Sequence, residues 1–182
     1  IYMGGVSCQW WTPDGNPLSD TWGTAVMGPT IYEVAELEPS ERWAPKVLSV
    51  EPETNFHGRR PCEARLAGRL GESAMFAAGL TGGVVELAES LRQVVVEKQI
   101  DLFIGVDIGS DSFHDGKEAV PAKTSMVDFM SLGAMLQLPC PVVYGVSGYG
   151  CDGEMQIEEL DERVGRVMRA GGYLGAHGLT QE

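Results

Sequence analysis

Basic residues are scarce in this chain. Lys and Arg number 13 against 26 Asp and Glu, a formal net charge of −13. Such a balance argues against sequence-independent nucleic-acid binding, which neutralises phosphates with a basic face. It still allows a small anionic ligand held by backbone N–H groups and one or two arginines. No apolar run approaches the roughly 20 residues of a membrane-spanning helix, so no membrane partner is expected. No basic start with an apolar core and a small-residue cleavage site is present, so no secretory leader is visible. The four cysteines, Cys8, Cys62, Cys140 and Cys151, form no C-x-x-C pair, and His57, His114 and His177 are scattered. That spacing disfavours structural zinc. Reduced thiols in a cytoplasmic protein fit better than a disulfide framework.

What is plentiful is glycine, 24 residues placed at the ends of apolar runs. Glycines there suggest loops whose backbone comes close to a ligand. The 182 residues suffice for one good-sized core, and a single domain over 1–182 is expected. The chain opens on Ile1-Tyr2-Met3, which reads as the tail of a buried strand, so it is read as a piece of something longer, lacking portions at both ends.

Prolines 29, 39, 45 and 52 exclude long helices in the first third, with a short strand at Val47–Val50. Trp10, Trp11 and Trp22 flank an irregular loop and serve either packing or a partner surface. A short amphipathic helix should end at Gly71, followed by a strand in "SAMFAAGL". Val84, Leu87, Ala88, Leu91, Val94 and Val95 keep the 3.6-residue period of a helix. Leu102–Val106 and Val142–Val146 are apolar runs without alternation, as in strands buried on both faces of a parallel sheet. A last amphipathic helix should stop at Gly171-Gly172, with Asp152 as its N-cap. The helix–strand alternation predicts α/β architecture, a mainly parallel sheet flanked by helices in a Rossmann-like three-layer sandwich.

In such sheets ligands sit at the carboxyl ends of the strands. Two loops leave such ends. The first carries Asp107, Gly109, Ser110, Asp111 and Asp115. Its carboxylates would ligate Mg²⁺ together with ligand phosphates, accept sugar hydroxyls, or bond their own backbone in Asx-type turns. The second, "SGYGCDGE", carries Gly148, Gly150 and Asp152 and satisfies G-x-G-x-x-G between a strand and a helix. Asp152 and Glu154 put negative charge where a pyrophosphate would lie. Arg59 and Arg60 are a solvated pair or anion partners. Cys151 and His114 are lesser candidates for nucleophilic and acid–base work.

The segments "IDLFIGVDIGSD", "SGYGCDGEMQIEEL" and "AGGYLGAHGLT", and more loosely "YMGGVSCQW", resemble domain-of-unknown-function family 1152. The resemblance implies an upstream strand with a glycine run and an Asp, absent here. It favours Asp107, Gly109 and Asp111 over Asp115. Ser110 stands where relatives usually carry a second glycine. The resemblance implies no activity.

The expected function is that of a cytoplasmic enzyme binding a phosphorylated metabolite or nucleotide. Asp107 and Asp111 would be catalytic or hold the metal. Gly109, Ser110, Gly148, Gly150, Asp152, Arg59 and Arg60 would bind the ligand. The alternatives are a non-catalytic subunit or scaffold of a larger assembly, and a dinucleotide-dependent redox enzyme. A homo-oligomer or complex subunit is expected.

Overall fold

The computed structural model describes residues 1–11, 27–71, 74–118, 125–151, 153 and 155–178. The loop with Trp22 and the predicted site residue Asp152 lie outside them. The strands are β1 (Tyr2–Val6), β2 (Cys8–Trp11), β3 (Met27–Ile31), β4 (Leu37–Glu38), β5 (Arg42–Ala44), β6 (Val47–Val50), β7 (Asn55–Phe56), β8 (Ala74–Ala78), β9 (Phe103–Ile108) and β10 (Val142–Ser147). The helices are α1 (Cys62–Leu70), α2 (Gly83–Glu97), α3 (Met126–Met135) and α4 (Ile157–Arg169). The chain is of mixed α/β class. It divides into two compact units, Ile1–Gly105 with Met126–Tyr144, and Val106–Ser125 with Gly145–Glu182.

The first unit is built on a four-stranded sheet in the order β1-β8-β6-β5. Only β1 and β8 are parallel there; β6 pairs antiparallel with both β8 and β5. The expected mainly parallel sheet is therefore met in parts. The reason is local: only Pro45 and Lys46 separate β5 from β6, and so short a connection makes a hairpin. Alternate residues of β8 enter two apolar clusters, as the two-residue period of a strand requires. Met75 and Ala77 join Leu48, Val50 and the α1 residues Ala64 and Ala67. Ala78 joins Val47 with Leu87, Ala88, Leu91 and Val94 of α2 and Ala134 of α3. The period read for α2 thus marks its buried stripe.

β1 is an edge strand with residues exposed or half-buried, not the buried strand expected from Ile1-Tyr2-Met3. Its glycines make room for neighbours. A Cβ on Gly4 would come within 2.6 Å of the Phe76 ring. One on Gly5 would collide with the carboxylate of Glu63.

β9 and β10 form a two-stranded sheet. Phe103 N–H donates to the Pro141 carbonyl at 3.0 Å and Gly109 N–H to the Ser147 carbonyl at 2.9 Å. Both partners advance together along the chain, so the pair is parallel. The expectation that this strand is buried on both faces is corrected. Ile104, Val106 and Ile108 are 59%, 61% and 78% exposed, alternating with less exposed residues. An apolar run without polar breaks hides such alternation from sequence reading.

Candidate functional site

In the second unit the loops after β9 and β10 meet. The Gly109–Ser147 hydrogen bond ties their first residues together. Gly109 has φ 122°, a conformation that favours glycine. Asp107 is buried at 5% exposure and faces back into its own loop. Its Oδ2 accepts the Ser112 hydroxyl at 2.6 Å and the Ser112 N–H at 3.1 Å. This is the turn-holding use of an aspartate, one of the alternatives open from sequence. Ser110 is fully buried, and a 3-10 turn over Asp111–Phe113 follows.

That turn delivers His114, 6% exposed, into the interior. Its Nδ1 lies 3.0 Å from the Asp111 carbonyl oxygen, which also accepts the His114 N–H at 3.2 Å. A carbonyl only accepts, so Nδ1 carries a proton. Nε2 is buried with no hydrogen-bond partner among the described residues.

Asp115 and Glu118 then bind α4. Arg163, 8% exposed, donates to Asp115 Oδ1 at 2.7 Å and to Glu118 Oε1 at 3.3 Å. Arg166 donates to Asp115 Oδ2 at 2.9 Å. Glu118 also accepts the N–H groups of Asp115 and Gly116 at 2.7 and 3.0 Å. Burial pushes the Glu118 carboxyl up, but the N–H groups of Asp115 and of Glu118 itself, Arg163 and, when its ring is charged, His114 outweigh it and hold its pKa at about 2. Asp115, the carboxylate that the family resemblance set aside, is therefore a principal anchor of the loop. Arg163 escaped sequence reading, although one signal existed. It stands three residues after the fully buried Leu160, a charge on the apolar stripe.

The glycine-rich loop is a succession of tight turns. Cys151 N–H donates to the Gly148 carbonyl at 2.7 Å, and Gly153 N–H to the Gly150 carbonyl at 3.2 Å. Gly150, at φ 67°, packs under α4, where a Cβ would lie 2.8 Å from Ile157 Cδ1 and 3.1 Å from Leu160 Cδ1. Tyr149 donates its hydroxyl to Asp161 at 2.9 Å. The N-cap of α4 is Gln156, not Asp152, and Gln156 forms a capping box with Glu159. A dinucleotide fingerprint presents free amides at a helix start close behind its glycines. Here the helix start lies beyond Gly153, and its Glu159 N–H is taken by the Gln156 side chain.

Arg59 and Arg60 belong to the first unit. The Arg60 guanidinium donates to the Pro52 carbonyl, and the Arg59 main chain closes a turn with Phe56. The neighbouring His57 pairs with Glu36 at 2.5 Å. An open depression bordered by Leu37, Glu38, Pro39, Ser40 and Arg42 contains none of the sequence-predicted residues.

Sequence reading also passed over the carboxyl ends of β1 and β8. There Ser7 accepts the Leu80 N–H at 3.3 Å, and Thr81-Gly82-Gly83 opens α2. Lys46 reaches the Thr81 hydroxyl at 3.2 Å and lies 3.6 Å from both Glu33 and Glu86. Burial pushes the Glu33 carboxyl up, but Thr81 and Lys46 outweigh it and lower its pKa. Below this sheet Glu63 is 8% exposed, and burial raises its pKa to about 7. Burial, with the nearby Glu63 next, also pushes the Tyr32 hydroxyl up. Burial raises the Cys8 thiol to about 11, which disfavours a reactive thiolate. Among the described residues no three His, Cys, Asp or Glu side chains gather as a metal site. Nor is any described helix long and apolar enough to cross a membrane.

No curated protein and no solved structure matches the chain. The model of the family described as "Protein of unknown function (DUF1152)" matches residues 26–182, and the chain belongs to that family.

Proposed function

We propose that this family member, for which membership assigns no reaction, is a small-molecule enzyme with its site at the carboxyl ends of β9 and β10. The observation that carries this reading is the Gly109–Ser147 hydrogen bond at 2.9 Å, which joins two loops leaving parallel strands. The ligand is a phosphorylated metabolite or nucleotide. Asp107 shapes the loop through Ser112, and Asp111, with Asp107, orients the ligand or meets Mg²⁺ held largely by ligand phosphate. To the loop backbone at Gly109, Ser110, Gly148 and Gly150, and to Asp152, this reading assigns the remaining contacts with the ligand. A Rossmann-like three-layer arrangement belongs with this reading, supported by the parallel pairs β1–β8 and β9–β10. So does a cytoplasmic location. The capped start of α4 weighs against the dinucleotide-dependent alternative.

Thermal-shift screening with nucleotides, sugar phosphates and Mg²⁺ tests this. A ligand at 100 times its Kd adds about 2.7 kcal/mol of stability. At ~2–4 °C per kcal/mol, that raises Tm by roughly 5–10 °C. No shift with any of them removes the reading.

A second reading, a subunit of a homo-oligomer or larger assembly, draws on the exposed Val106 and Ile108 of β9. Exposed β-branched residues on a strand invite a covering partner. Native mass spectrometry that finds only monomer weighs against it.

A further inference from the structure

We propose that His114 Nε2 is the acceptor for a hydroxyl group of the ligand, an inference that rests on the small-molecule reading and specifies one contact within it. The protonated Nδ1 is fixed on the Asp111 carbonyl, so neutral His114 presents its lone pair at Nε2. The nearby carboxylates offer that nitrogen nothing, because they only accept. Their oxygens are already taken up by N–H groups of Arg163, Arg166, Asp115, Gly116 and Lys117. Nε2 is thus a buried acceptor without a donor among the described residues.

Arg163 supplies the complement. Its Nη2 is engaged, but its Nε–H is buried without an acceptor among the described residues. One acceptor and one donor stand open in the same side-chain cluster. Buried polar atoms left in this state cost the fold free energy, which a bound group offsets by completing them. The chemistry of that group follows from the two vacancies. A fully ionised oxyanion such as sulfate has no proton to give and completes only the arginine. A hydroxyl both gives and takes a hydrogen bond and suits either atom. Sugar phosphates carry such hydroxyls on carbon, whereas sulfate carries none.

The test uses the full chain with ribose 5-phosphate and sulfate as probes. Calorimetry compares the wild type with His114→Phe. ¹⁵N NMR follows the imidazole nitrogens of the wild type. Loss of one neutral hydrogen bond is expected to weaken ribose 5-phosphate binding about three- to tenfold in the variant, with sulfate unaffected. The wild-type Nε2 resonance is expected to move with ribose 5-phosphate and not with sulfate. The NMR measurement stands even where His114→Phe fails to fold. Binding of ribose 5-phosphate with Nε2 unmoved overturns this inference and leaves the small-molecule reading intact; an ordered water at Nε2 gives that result. A proton found on Nε2 of the free neutral ring also overturns it. Failure of both probes to bind counts against both proposals.

Discussion

Replacing Glu63 by glutamine removes a titration that folding has moved into the neutral range. Glu63 lies in the first turn of α1 with its carboxyl against the main chain at Gly5. Burial raises its pKa from 4.5 to about 7. Between those values the folded protein keeps a proton that the unfolded chain has lost. The associated stability is fully present below about pH 4.5 and is lost as the pH rises through about 7. At about 1.4 kcal/mol per pH unit, the full loss is roughly 3 kcal/mol. Glu63→Gln keeps the size and polarity of the protonated acid and carries no charge. The assay is thermal unfolding by circular dichroism from pH 4.5 to 8.5. At ~2–4 °C per kcal/mol, the wild type should lose roughly 6–12 °C of Tm relative to the variant across that range. All other titrating groups are common to both proteins, so the difference between the curves isolates this carboxyl. Curves that stay parallel refute the reasoning and place the Glu63 pKa near its ordinary value in the folded state.

Arg163→Met strands Glu118 and Asp115 without their buried cation, and breaking such a pair from one side costs about 3–5 kcal/mol. Urea denaturation measures it, and adding Glu118→Gln should recover part of the loss. Glu118 itself predicts an acid limb: its pKa is depressed to about 2, so the stability it gives is lost as pH falls from about 4.5 through 2. Gly150→Ala meets both an unfavourable φ and the Ile157 side chain, and should destabilise by roughly 2–4 kcal/mol. Gly116→Ala, at φ 80° but in open space, should cost only about 1 kcal/mol. Equal losses for the two glycines would show that packing under α4 adds nothing at Gly150.

The helices were legible because their apolar residues recur at a helical period. Leu87, Ala88, Leu91, Val94 and Val95, read from the sequence as one face of a helix, are all buried in α2. β9 was misread because Ile104, Val106 and Ile108 look alike whether they face a core or solvent. Asp107 was legible as an acid leaving a strand, but its engagement with Ser112 was one of several uses the sequence left open. The importance of Asp115 was hidden because Arg163 and Arg166 lie 48 and 51 residues further along the chain. No local spacing encodes contacts of that range. His114 was visible only as a residue beside an aspartate. Its interest comes from burial and an unmet nitrogen, which are properties of the folded chain.

The adjacent glycines of β1 have a consequence for sequence change over time. Gly4 and Gly5 act as two sockets in one strand, filled by the Phe76 ring of β8 and the Glu63 carboxyl of α1. The plug and the socket are encoded far apart and are constrained together. A relative that acquires a side chain at the position of Gly5 must shorten the residue at the position of Glu63 or swing its carboxylate out of the socket, and one that keeps the acid in place must keep the glycine. Gly4 is constrained differently, because a Cβ there would also lie 2.5 Å from the Phe76 carbonyl oxygen, which no side-chain change at position 76 removes. Positions 5 and 63 should therefore vary as a couple, so that a change at either alone reads as a defect and a change at both reads as an alternative solution.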